Sequence, residues 1–205
     1  MTFATLNHVS RGPSGGHVRS YLGLRFGFLA DATDTGGAYS IMEVQARPGM
    51  EPPPHIHSGE DEAFYTLDGA WTFRCGDTAT DAGPGTLLFL PRGLMHGFTA
   101  HNDLCRALVI MSPGGLETAF RELSEPLPPG TAAPQAEPPP IAHVLDTFRR
   151  RGVQFAPPES GSSPTEWSAS DTEEAALAER AAFRKPTPGR GPGPNGLALD
   201  RDTLA

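Results

Sequence analysis

Two short stretches hold the residues that can do metal chemistry. The first, Gly49–Gly69, places His55 and His57 one residue apart, Glu62 a turn later, and ends on Gly69. The second, Gly85–His96, reads GTLLFLPRGLMH and supplies a third imidazole, His96, 34 residues beyond Glu62. On a strand, residues i and i+2 project to one face, so His55 and His57 converge while Ile56 turns away. Glu62 opens the next strand and reaches the same centre after a turn at Ser58-Gly59. His96 must arrive from a more distant strand, which requires a closed or folded-over sheet. Three imidazole nitrogens and a carboxylate oxygen suit a divalent first-row metal at about 2.0–2.2 Å. Four protein ligands leave one or two positions open in a five- or six-coordinate shell. An open position marks a catalytic site, whereas structural zinc is closed. Glu62 is the single anionic ligand, so the loaded site stays net positive and can bind an enolate or carboxylate. Glu60 and Asp61 are competing carboxylates nearby; spacing and strand parity favour Glu62. His101, five residues after His96, is expected to face away. His8, His17 and His143 read as solvated.

The elements that must position these side chains are short strands. Tyr21–Ala30 alternates, with Leu24, Phe26 and Phe28 on one face. Asp31–Gly37 is a turn cluster, and Ala38–Ala46 a second strand. Its faces are Ile41, Glu43, Gln45 and Met42, Val44, Ala46; either can line a cavity. Pro52, Pro53 and Pro54 hold the chain extended into His55 and place this approach at a sheet rim. Asp61–Leu67 and Ala70–Cys75 read as a hairpin about Asp68-Gly69. Thr78–Ala82 follows, then Thr86–Leu90, whose apolar run reads as a buried strand. Met95–Ala100 carries His96, and Leu104–Ser112 is the last clear strand. Turn signals about every 8 to 12 residues predict an all-β sandwich or closed barrel, and the absence of alternating long helices excludes a doubly wound fold.

The pattern changes at Pro113. Gly115–Leu123 and Ile141–Arg151 read as short helices. Their apolar faces are Leu116, Ala119, Phe120, Leu123 and Ile141, Val144, Leu145, Phe148. Between them Pro126–Pro140 holds seven prolines and reads as a strap. Residues 1–20 form an irregular lead-in, 21–156 the barrel with its helices, and 157–205 a Pro/Gly/Ala-rich tail expected to be disordered. Within that tail Ser170–Arg184 has a capping-box helix pattern, near Trp167. The net charge of −8 excludes a phosphate-backbone or anionic-membrane partner. No apolar run reaches the roughly 18 residues of a membrane span. Cys75 and Cys105 read as reduced core thiols, and the chain as cytoplasmic.

At this point the chain resembles a known family. Gly49, His55, His57, Glu62 and Gly69, with Gly85, Pro91, Gly93 and His96, are similar to the paired motifs of the cupin superfamily. The second motif departs only at its final Asn, the nearest asparagine being Asn102. The resemblance covers about residues 20–113 and implies a jelly-roll β-barrel with a metal inside. A finer resemblance, to single-domain quercetin 2,3-dioxygenase-like cupins, rests on DEAFYTLDGAWTF, GPGTLLFLPRGLMHGF and SPGGLETAFREL. It implies a metal-dependent oxygenase, Fe(II) favoured over Mn, Ni, Co, Cu or Zn, acting with O2 on a small aromatic, flavonol-like or polyketide-like enol. Glu62 would then bind metal and act as general base, with Phe64 and Phe98 as apolar walls. It also implies a homodimer. The fold equally hosts redox-neutral cyclases, isomerases and decarboxylases, and non-enzymatic binders.

Overall fold

A computed structural model describes residues 8–12, 17–128, 131 and 140–156. In chain order the elements are β1 (Val18–Tyr21), β2 (Leu24–Ala30), α1 (Ala32–Thr35), β3 (Ser40–Ala46), β4 (His55–His57), β5 (Asp61–Asp68), β6 (Trp71–Cys75) and β7 (Thr78–Ala82). They continue with β8 (Leu87–Leu90), β9 (His96–Ala100), β10 (Cys105–Ser112), α2 (Glu117–Leu123), β11 (Glu125–Pro126), α3 (Ile141–Arg149) and β12 (Val153–Phe155). Two antiparallel sheets result, one in the order β11-β1-β2-β3-β10-β5-β8, the other β12-β4-β9-β6-β7. This is the expected jelly roll, with one difference: the strands form two open sheets rather than one closed barrel.

The core lies between the sheets because alternate residues of each strand turn inward. Met42, Val44 and Ala46 face in from β3, and Ala107, Val109 and Met111 from β10. That settles the two faces of β3: the apolar one is inward. On the outer one Glu43 is buried against Arg106, whose Nε lies 3.0 Å from Glu43 Oε1. Phe64, Trp71, Phe73 and Phe98 form an aromatic cluster, with ring centroids 4.9 to 6.0 Å apart for the pairs in contact.

Several expectations give way. Asp68-Gly69 does not close a hairpin. β5 pairs with β8 and β10, while β6 pairs with β7 and β9, so the Gly69 corner passes the chain from one sheet to the other. Trp71 Nε1 donates to Asp68 O at 3.0 Å, and Ala70 N donates to Asn102 Oδ1 at 2.6 Å, both pinning the corner. The apolar run Leu87–Leu90 is not a buried strand: β8 ends its sheet, and Leu87 and Phe89 are each 62% exposed. Their outward parity sets them beside Tyr65, 40% exposed, on β5. Tyr21–Ala30 is two strands, broken at Leu22-Gly23, and β1 begins inside the stretch read as lead-in. The Asp31–Gly37 turn contains α1, closed by reciprocal bonds of Asp31 and Asp34. On α3 the buried residues are Val144, Thr147 and Phe148, while Ile141 is exposed, because the helix packs by its C-terminal half. The Ser170–Arg184 helix, Trp167 and most of the Pro-rich strap lie outside the described residues.

β12 went unpredicted, and it matters most. It pairs antiparallel with β4, Val153 opposite His57 and Phe155 opposite His55. A three-residue β4 would otherwise be a sheet edge. Gly152 (φ +82) makes the turn into β12, and its carbonyl accepts from Ser58 N at 3.0 Å. No helix among the described residues is long and apolar enough to cross a membrane.

The two corners differ in tolerance. A Cβ on Gly69 (φ +80) would sit 2.5 Å from Cys105 Sγ and 2.9 Å from Cys105 Cα, so backbone must move. On Gly152 it would meet only the Ser58 side chain, Oγ at 2.3 Å and Cβ at 3.7 Å, and that hydroxyl can rotate away. Gly69→Ala is expected to cost about 3 kcal/mol or more, backbone strain plus overpacking. Gly152→Ala should cost about 1–2 kcal/mol, the left-handed strain alone. Urea unfolding of the two variants checks the order; equal losses would show that the Gly69 corner is not a tight crossing.

Candidate metal centre

β4 and β9 carry the imidazoles. His55 is the register partner of His96 across the β4–β9 ladder, and His57 shares its face two residues on. The ring centroids are 5.0 Å apart for His55–His57, 4.7 Å for His55–His96 and 4.8 Å for His57–His96. Glu62 enters from β5, in the opposite sheet. One ligand atom from each of the four residues lies within 4.8 Å of all the others. The structure therefore brings His55, His57, Glu62 and His96 together, as the spacing predicted.

The rings are held from behind. His55 Nδ1 lies 2.9 Å from Pro53 O, and His96 Nδ1 lies 2.9 Å from Leu94 O. A carbonyl only accepts, so both Nδ1 atoms carry the proton and both Nε2 atoms present a lone pair. Gly93 N donates to His57 O at 2.9 Å, tying the turn before His96 to β4. Phe155 packs on the His55 ring at 5.6 Å between centroids, and Phe148 packs on Phe155 at the same distance. The signal for Phe155 was the V-Q-F alternation after Gly152, too short to read as a strand.

The competing carboxylates point elsewhere. Asp61 accepts from Arg92 Nε at 3.0 Å and Arg92 Nη2 at 2.8 Å, and this pairing holds its carboxyl below the usual range. Glu60 is half-buried outside the cluster, and burial pushes its carboxyl up. His101 does face away, its Nε2 2.7 Å from Thr72 Oγ1; His8 and His143 are exposed, and His17 is partly exposed.

The donor set fits a cation. His57, Glu62 and His96 are buried, and His55 is partly exposed over the whole residue although its site end is buried. His57 Nδ1 and His96 Nε2 are buried without a hydrogen-bond partner. His96 Nε2 lies 3.3 Å from Glu62 Oε2, close enough for electrostatic contact but not aligned as a hydrogen bond. Orphaned buried lone pairs are costly, and a metal satisfies them. Burial, then the charges of His96 and His57, pulls His55 down to about 3. Burial also holds His57 below its ordinary value. Burial pushes Glu62 up, but contact with His96 and the charges of His57, His96 and His55 outweigh it and bring the carboxyl down to about 2. Neutral His55 and His57 beside an ionised Glu62 are the forms a metal requires. The cluster can thus hold a metal ion.

A cavity reaches the cluster through His55, Glu62 and His96; Phe64 and Phe98 are in its wall. His57 does not line it, so an entering atom meets the cluster from the other three.

The protonation states set an acid limit. As pH falls from 6.5 towards 3, the unfolded chain takes up protons at these imidazoles that the folded protein refuses at His55, so stability is lost through that window. Glu62 adds in the same direction between its ordinary 4.5 and about 2. Chelator-treated protein should lose on the order of a few kcal/mol between about pH 7 and pH 4 in urea titrations, and His55→Gln should flatten that slope. A wild-type profile that stays level would contradict this protonation scheme.

Residues 42–112 match the Cupin domain family model. Quercetin 2,3-dioxygenase of Bacillus subtilis (strain 168) is 24% identical over 98 residues, 48% of this chain and 29% of that protein. The chain thus matches less than a third of that curated relative's length. Among solved structures, KdgF from Halomonas sp. is 21% identical, with a TM-score of 0.43 over 47% of this chain and 85% of that one. An RmlC-like cupin from Shewanella frigidimarina is 16% identical, with a TM-score of 0.46 over 55% and 96%. Both motif stretches fall inside the matched region, on strands that form the jelly roll, and over residues 42–112 the chain is similar to the cupin domain family.

Proposed function

We propose that this protein is a metal-dependent oxygenase acting on a small aromatic or polyketide-like enol, with Fe(II) as the favoured ion. One observation carries the proposal: a His3Glu donor set sits at the end of a cavity with apolar walls. His55, His57, Glu62 and His96 would hold the ion. When bound, it supplies Lewis acidity towards an enol oxygen and one-electron chemistry towards dioxygen. Glu62 lies in the cavity wall, and its ionised carboxylate can take the proton of a substrate hydroxyl. Phe64 and Phe98, 5.6 Å apart between centroids, orient the substrate body and exclude water. One curated relative is a quercetin 2,3-dioxygenase, which supports the oxygenase reading. The free thiols Cys75 and Cys105 suit a cytoplasmic setting.

We also infer a homodimer. The outward face of β8 and β5 exposes Leu87, Phe89 and Tyr65 at the end of a sheet, and the same face of a second copy can cover it about a two-fold axis, one patch against itself. Sedimentation should give a dimer for the wild type and a monomer for Phe89→Glu; a wild-type monomer overturns this.

Protein loaded in turn with Fe(II), Mn(II), Ni(II) or Cu(II) should consume oxygen with an enol substrate. Glu62→Gln should lower kcat by about 10²–10⁴-fold, the usual share of a general base. Absence of uptake with every ion and every enol would sink the oxygenase proposal.

A further inference from the structure

The cavity walls are of one chemical kind. Among the described residues that line it, only His55, Glu62 and His96 carry strong hydrogen-bonding side chains, and these are the candidate ligands. The remainder is hydrocarbon or thioether. Met42, Val109 and Phe64 stand side by side, being register partners across β3, β10 and β5. Phe98 closes one side, and Phe26 and Phe120, 5.1 Å apart between centroids, add to the wall.

The backbone offers little more. β3, β5 and β10 are interior strands laddered on both sides, whereas β9 is laddered with β6 along its length but with β4 only at His55–His96. The N–H and C=O groups of β3, β5 and β10 are therefore spent in the ladders. Against the walls of β3, β5 and β10, a hydroxyl or amide on a bound molecule loses its water and finds no partner. Such desolvation without compensation weakens binding about tenfold or more per group.

We infer that the substrate is a compact apolar molecule whose oxygens are gathered at one end, such as an alkyl or aryl 1,3-dicarbonyl in its enol form. The oxygenated end meets His55, Glu62 and His96, and the hydrocarbon end fills the wall. Polyhydroxylated flavonols and sugars are rejected, because their distributed hydroxyls would be buried unpaired. This narrows the enol class proposed above and rests on that metal-centred function.

The test is binding, read by calorimetry on full-length protein loaded with Zn(II), which is redox-inert and prevents turnover. Zinc is titrated first, into the metal-free protein. The probes are 1-phenylbutane-1,3-dione and 1-(3,5-dihydroxyphenyl)butane-1,3-dione, which share a head group and differ only in two non-chelating hydroxyls. The dihydroxy compound should bind at least about tenfold more weakly. Val109→Thr, nearly isosteric, sets a hydroxyl into the wall. It should narrow that ratio severalfold and leave zinc affinity unchanged. Equal or tighter binding of the dihydroxy compound, no binding of either to zinc-loaded protein, or an unchanged ratio in Val109→Thr overturns the substrate class and leaves the metal centre standing. Failure of zinc to load overturns the metal centre, and this inference with it.

Discussion

Everything in this fold answers to one requirement: three imidazoles and one carboxylate must be buried within a few ångströms of each other. Buried polar groups are costly unless each has a partner, and a buried carboxylate is costlier still. The imidazoles share the five-stranded sheet, whereas Glu62 comes from the seven-stranded one. The cluster is therefore the point at which the two sheets must meet in a definite relative position. Short tethers fix that position. Arg92 on the turn before β9 grips Asp61 beside Glu62, and Gly93 N reaches back to His57 O.

The C-terminal segment serves the same end. Phe26, Phe120, Phe148 and Phe155 form a chain of ring contacts that ends on His55. α2 and α3 pack at the side of the jelly roll, and β12 brings this apolar column alongside β4. A strand of three residues, preceded by three prolines, has little ladder of its own. Pairing with β9 on one side and β12 on the other makes it a rigid platform for two ligands. An apolar surround also lowers the local dielectric, which strengthens every charge interaction at the cluster.

Local patterns misled where they could not report which sheet a strand joins. Asp68-Gly69 has hairpin chemistry, yet the chain crosses between sheets there, because left-handed backbone at Gly69 suits either outcome. Leu87 and Phe89 are as apolar as any core pair, but they stand with Tyr65 on the outer face of their sheet, the face turned away from the core. Val153-Gln154-Phe155 is too short to carry a period and became a strand only through β4. On α3 the helical stripe was correct in type, but Ile141 projects past the layer it packs against.

What the sequence determined alone was the donor set and its spacing: His55, His57 and Glu62 in one stretch, His96 in another, with alternation enough to demand an all-β fold. Those are local facts, set by the two-residue period of strands and by the chemistry of the side chains. Tertiary structure decided the rest. It brought the four ligands within reach of one another, paired Asp61 with Arg92 and His101 with Thr72, and walled the cavity with hydrocarbon. The reason is physical: convergence from two sheets, and the burial that shifts protons and removes water, depend on residues far apart in the chain, and no local pattern encodes them.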